Sequence, residues 1–230
     1  MDRGLYIAAS GMLAEQVRQD QIANDLANSA TPGYKADRTT QRSFGELLLS
    51  NSATGTVVGP QGTAVAVDKV TTDFTPMPSR DTGEPLDFAI TGEGFFAVQT
   101  AAGVRYTRNG QFSTDVQNRL VTAGGDPVLG RGGTPITVGA DGTVDPRRLD
   151  VVALTSPRKA GDSFVTGTAA GAATGQVRAG ALEGSGADAT HSMVDMIESM
   201  RAFQAGQKVI QTIDASLSKA ATQIGAVSGQ

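Results

Sequence analysis

Met196, Phe203, Ile210, Leu217 and Ile224 follow one another at seven-residue intervals without a gap. No other feature of the chain constrains its fold as tightly. A heptad column of this length marks a helix whose apolar seam must be covered by another helix. Met193, Met200 and Ile213 widen the stripe, and Thr190 is the expected N-cap of a helix running from 190 to 227. Burying a Leu, Ile, Phe or Met side chain contributes roughly 1.5–3 kcal/mol, so the stripe represents on the order of 10 kcal/mol of drive toward a partner.

A second helix is expected at the other end of the chain. Residues 3 to about 28 lack proline and space Leu5, Ala8 or Ala9, Met12, Ile22, Ala23 and Leu26 as a helix does. Polar Gln19 interrupts the column formed by Leu5, Met12 and Leu26, and Gly11 costs about 1 kcal/mol relative to alanine. Alone in water such a helix is marginal. Its stop is explicit. Asn28 and Ser29 favour turns, Pro32 pushes Thr31 out of the helical region, Gly33 permits positive φ, and Tyr34 opens a new segment. Two outcomes satisfy these seams: the end helices pair with each other and with copies from neighbouring subunits, or both pack onto the middle of the chain. The narrow seam favours the first.

The middle, from about 40 to 185, reads as β-rich. Leu86, Phe88 and Ile90, then Phe96 and Val98, alternate around a glycine turn at Gly92–Gly94. Further turns are expected at Ala101–Gly103, Gln117–Asn118, Gly124–Pro127 and Asp141–Gly142, and "LDVVAL" reads as a buried strand. Short strands at this density suggest a small sandwich or barrel. The Gly/Ala/Ser/Thr-rich stretch 161–187 is expected as an extended or loop-like connecting segment, with room for one strand at "QVRAGALEG". The fold class is therefore α+β, with terminal helices forming a coiled-coil-like core module (1–40 with 188–230) and a central β-rich domain (41–187).

The chemistry-bearing residue types are sparse. A net charge of −4 provides no basic field for nucleic acid. With no cysteine, disulfides, thiolate metal sites and cysteine nucleophiles are excluded, and the single His191 has no nucleophile-elbow sequence to serve. Gly92-Glu93-Gly94 lacks the third glycine of a dinucleotide loop, so it reads as a turn. Gly167, Gly171 and Gly175 sit in surroundings too polar for a membrane helix, and no apolar run approaches the ~18 residues needed to span a bilayer. Asp141 and Asp145 lack the rest of a calcium loop and read as a β-turn, and "GRGG" at 130–133 is a single copy. No catalytic, metal or cofactor-binding residue is expected, and no cofactor. Scattered carboxylates leave one alternative of another class open, a cell-wall-active or carbohydrate-binding β domain. The apolar start Leu5–Ala14 has the length of a secretory h-region, but Asp2 cancels Arg3 and the helical spacing runs on past Glu15. Any route out of the cytoplasm is expected to leave no cleaved signal.

The segment "GLYIAASGMLAEQVRQDQIANDLANSATPGYKA" resembles the N-terminal motif of the bacterial flagellar rod and hook family, I-A-N-N-L-A-N-x-x-T-P-G-F/Y-K. Asn24, Asn28, Thr31, Pro32, Gly33 and Tyr34 fall on that motif, and Asp25 departs from its second Asn. "TDFTPMPSRDTGEPLDFAITGEGFFAV", "YTRNGQFS", "RLVTAGGDPVLG" and "ITVGADGTV" are similar to successive middle blocks. "GALEGSGADATHSMVDMIESMRAFQAGQKVIQTIDASL" is similar to the C-terminal block, with Ser185-Gly186-Ala187 where the family usually has Ser-Asn-Val. The resemblance spans essentially the whole chain. It implies a non-enzymatic rod subunit of the flagellar basal body, polymerising helically around a central export channel with its β domain outside. It further implies export by the flagellar type III apparatus, a place in the periplasm or wall space, and other rod and hook subunits as partners, with ring proteins as candidate neighbours. The hook's added outer domain is missing, and the short stretch after the first helix favours a proximal over a distal rod subunit. Leu5, Met12, Ile22, Leu26, Met193, Met196, Met200, Phe203, Ile210, Leu217 and Ile224 are the expected assembly interface.

Overall fold

The computed structural model describes residues 2–50, 57–161 and 163–227, with side chains described over 4–42, 64–161 and 163–222. Helix α1 spans Asp2–Ala27, strands β1 and β2 span Asp37–Ser50 and Val57–Thr72, and helix α2 spans Ala189–Val227. Between β2 and α2 lie ten short strands: β3 (Ser79–Asp81), β4 (Phe88–Thr91), β5 (Phe95–Thr100), β6 (Gly103–Thr107), β7 (Phe112–Thr114), β8 (Leu120–Thr122), β9 (Val151–Lys159), β10 (Phe164–Ala172), β11 (Gln176–Ala179) and β12 (Ala181–Glu183). The chain is α+β, with a β-rich central region between N- and C-terminal helices.

Two units divide it. The first comprises Met1–Leu26, Asp37–Thr71 and Ala189–Gln230; the second comprises Ala27–Ala36 and Thr72–Asp188. In the first, α1 and α2 meet at successive levels that run antiparallel. Ser199 Oγ donates to the Glu15 carboxylate at 2.6 Å, a Cβ at Gly206 would lie 2.7 Å from Met12 Cγ, and one at Gly4 would lie 3.3 Å from Ile213 Cδ1. Ser199 and Gly206 on α2 thus line the face that α1 approaches, and Ser192, one heptad before Ser199, is also buried. The β1–β2 ribbon, which the residue pattern had not singled out, also packs on α1. Val65 N–H donates to Ser10 Oγ at 3.2 Å, Gln41 Nε2 donates to the Glu15 carboxylate, and Ala14 and Ala64 are buried. A two-stranded ribbon is marginal by itself in water, so this helix contact supplies part of its stability.

The second unit is built around a closed barrel of order β10-β6-β5-β9, flanked by the pairs β11–β4, β12–β3 and β7–β8. Alternation works as the sequence suggests: Phe88, Ile90, Phe96, Val98, Phe112 and Leu120 all point into one core, where Phe96 and Phe112 meet edge-on at 5.4 Å. The expected turns form, with Asn118 at φ 55° and Gly142 at φ 72°. Two expectations are corrected. Thr190 is already helical, because α2 begins at Ala189. The stretch 161–187 holds more strand than expected: β11 and β12 fall on "QVRAGALEG", and β10 precedes them. Strand propensity there is low, but β10 pairs antiparallel with β9 along most of its length, and two register shifts absorb its irregularity.

Candidate assembly site

In the helical unit the expected seam separates into two kinds of residue. Met196, Phe203, Ile210 and Leu217 are half-buried on one face of α2, together with Ile213, while Leu5, Met12 and Leu26 are half-buried and Ile22 is buried on α1. Ile224 lies outside the residues whose side chains are described. Met193 and Met200 are 54% and 50% exposed, and with Ile197 they form a second apolar stripe at i, i+4, i+7. Tyr6, Leu13 and Val17 are likewise exposed on α1. Both helices therefore keep apolar surface after their contacts within the chain are made.

The helix stop has its geometry in the β unit. Thr31 N–H donates to the Asn28 carbonyl at 3.0 Å and Thr31 Oγ1 to the Asn28 side chain at 3.1 Å, closing a turn directly after α1. Pro32 follows, Gly33 adopts φ +66°, and Tyr34 is fully buried beneath Lys159 Nζ, 4.0 Å from its ring centre. Asn24 lies on the exposed side of α1.

Three charged residues then meet out of water; Lys35 closes the resembled motif, and none of the three is among the residues expected at the site. Lys35 Nζ donates to Glu183 Oε1 and to the Thr75 carbonyl, each at 2.6 Å. Arg108 Nη1 donates to Glu183 Oε2 at 3.0 Å and Nη2 to the Gly92 carbonyl at 2.8 Å, and Met77 N–H donates to Glu183 Oε1. All three residues are at most 3% exposed. One carboxylate thus faces two buried cations. Backbone bonds join the same segments: Gly33 N–H to the Glu183 carbonyl, Gly186 N–H to the Tyr34 carbonyl, and Ser185 Oγ to the Asn28 carbonyl. Gly186 stands where the resembling family usually has Asn, and a Cβ there would lie 3.0 Å from the Tyr34 oxygen. The set forms a collar around residues 28–36 and 183–186.

Burial holds the Lys35 ammonium below its ordinary 10.5, and the Arg108 charge adds to that; the Glu183 carboxylate opposes both. Folding thus weakens this group's hold on its proton. Between its folded value and 10.5 the unfolded chain binds more protons, so the stability Lys35 contributes rises with pH through that interval. The stability of the wild type relative to Lys35→Met, followed by urea unfolding from about pH 7 to 10.5, is expected to move in favour of the wild type as pH rises. A flat or falling difference would contradict this.

Glu183 pairs with both cations, and the Arg108 Nε is buried without a hydrogen-bond partner. A cleft of about 430 Å³, lined by Arg131, Arg147 and Asp150, opens elsewhere on the β unit, and one of about 450 Å³, lined by Phe74, Phe95 and Leu154, borders the buried charges at Arg108. Among the described residues no cluster of three or more His, Asp or Glu could hold a metal, and no helix is long and apolar enough to cross a membrane. His191 is exposed in the first turn of α2, Asp141 closes a turn onto Thr143, and Asp145 caps the 3-10 turn Pro146–Arg148.

Comparison with known proteins draws on the whole chain. Family models match in three places: "Flagella basal body rod protein" over residues 5–35, "Flagellar hook protein FlgE/F/G D1 domain" over 89–146, and "Flagellar basal body rod FlgEFG protein C-terminal" over 178–224. The chain is 33% identical to the flagellar hook-basal body complex protein FlhO of Bacillus subtilis, covering 99% of this chain and 100% of that one. It is 34% identical to the flagellar basal-body rod protein FlgF of Caulobacter vibrioides, over 97% and 98% of the two chains. With the flagellar basal-body rod protein FlgG of Bacillus subtilis it shares 31% identity over 93% and 96%. Both end helices, the stop between α1 and β1, and the strands of the central unit fall inside these matches, and the chain belongs to the flagellar basal-body rod family.

Proposed function

We propose that this chain is a structural, non-enzymatic subunit of the rod, polymerising helically through α1 and α2, with the β unit outside the helical core. The observation that carries this reading is the apolar surface left on both helices. Tyr6, Leu13 and Val17 on α1, and Met193, Ile197 and Met200 on α2, remain exposed in the single chain. Burial of such side chains contributes roughly 1.5–3 kcal/mol each, and copies of the same two helices are the partners a homopolymer supplies. The inner column of Met196, Phe203, Ile210 and Leu217 serves the coiled-coil-like pairing of α2; the outer stripe serves its neighbours. Other rod and hook subunits are the partners above and below, the type III apparatus is the export route without a cleaved signal, and ring proteins surround the shaft. The short connection after α1 favours a proximal position, with a distal one as the alternative.

Before assembly, ordering the end helices costs about 1.5 kcal/mol per residue, and the contacts within one chain leave most of the apolar seam only half-buried to offset it. Hydrogen exchange on the purified full chain is expected to show fast amides along α1 and α2 and slow ones in the barrel strands. Uniformly slow exchange would mean that the helices are satisfied within one molecule, and the polymer reading would lose its drive.

A further inference from the structure

The chain enters the β unit at Ala27 and leaves it at Asp188. About 160 residues separate the end of α1 from the start of α2. Two helices so far apart in sequence pair only after a long loop is closed, at an entropic cost that grows with the logarithm of its length. In this chain the closure is made inside the β unit. Gly33 N–H reaches the Glu183 carbonyl at 3.0 Å, Gly186 N–H the Tyr34 carbonyl at 2.8 Å, and Ser185 Oγ the Asn28 carbonyl at 2.9 Å. The Lys35–Glu183 ion pair closes the set at 2.6 Å. None of these ties uses a residue of α1 or α2. Their charged part is anchored to the barrel by Arg108, directly after β6, and to the Met77 amide before β3.

We propose that this collar is a preformed clamp, which folds with the β unit and holds the exit of α1 beside the entry of α2 before either helix has a partner. Each helix then meets the other at the effective concentration of a short tether, in the millimolar range, instead of that of two distant chain ends. Adding a subunit orders two segments that already start side by side. The proposal rests on the reading of α1 and α2 as the rod's assembly element. Lys35, Arg108 and Glu183 act in it as positioning residues.

Geometry separates the clamp from a collar that forms only when the helices pack. A collar built into the β unit must be as protected as the barrel, and its protection must depend on the central carboxylate. The test is hydrogen exchange resolved at single amides on the free full-length chain. Gly33 and Gly186 are expected to exchange as slowly as the β5 and β6 amides, and roughly 100-fold more slowly than the helical ends. In Glu183→Gln, which keeps the shape of the side chain and removes its charge, both collar amides are expected to exchange at least about tenfold faster while β5 and β6 stay unchanged. Should Glu183→Gln unfold the barrel, Lys35→Met leaves the Arg108–Glu183 pair in place and is read in the same way. Collar amides that exchange with the helices in the wild type, or that ignore both substitutions, overturn the clamp. A protected collar in a chain that never enters a rod would refute the rod reading alone, whereas an unprotected collar in a chain that builds rods would refute the clamp alone.

Discussion

Phe203→Asp and Ile210→Asp are each expected to abolish rod assembly: cells whose only copy carries either substitution should not swim, although the purified protein keeps a folded β unit. Both side chains are half-buried on the inner face of α2, on the column that Met196 and Leu217 continue. Removing either forfeits roughly 1.5–3 kcal/mol of burial. The carboxylate adds a larger penalty, because the Met12–Gly206 approach places the neighbouring helix within van der Waals distance of this face and leaves little room for water around a charge. In a polymer the loss recurs in every copy. The β unit draws on none of these residues, since its core consists of Phe88, Phe96, Phe112 and their neighbours, so its thermal unfolding should be unchanged. Motility restored by either variant would show that the α2 column is not the seam.

What made this face legible is that helical periodicity is local. Seven-residue spacing needs no knowledge of the rest of the chain, and neither do the turns at Asn118 and Gly142 or the stop at Thr31-Pro32-Gly33. The collar escaped for the opposite reason. Lys35 and Glu183 are 148 residues apart, and Arg108 and Glu183 are 75 apart. Each charge on its own looks like a solvated side chain. The available signal was weak: Glu183 follows Ala181 and Leu182 in a strand so short that a charge within it must be either at the surface or paired. Strand β10 was hidden because its Gly, Ala and Thr residues carry no apolar alternation, and only the β9 and β6 partners determine its state.

The stop motif supplies the second large effect, and two glycines of similar backbone conformation separate its causes. Gly33 has φ +66° and Gly83 has φ +76°, so alanine at either position pays the left-handed penalty of roughly 1–2 kcal/mol. Their surroundings differ. A Cβ at Gly83 meets nothing within 4 Å, whereas one at Gly33 would stand 2.4 Å from the Arg108 carbonyl carbon and oxygen and 2.6 Å from the Asn109 nitrogen. Those are backbone atoms and cannot rotate away. Relieving the clash means separating the turn from the end of β6, with the Gly33–Glu183 bond and the seats of Tyr34 and Lys35 moving along with it; crowding of this kind costs a further 1–3 kcal/mol or more. Gly83→Ala is therefore expected to lower the melting temperature of the β unit by about 4–8 °C, and Gly33→Ala by roughly 8–20 °C, at about 4 °C per kcal/mol for a domain of this size. Differential scanning calorimetry of the two variants decides it. Equal shifts would mean that the turn yields without strain, and Gly33 would then be required only for its backbone angle. A larger shift for Gly33→Ala would make the close approach to Arg108 the reason that this helix stop must carry a glycine.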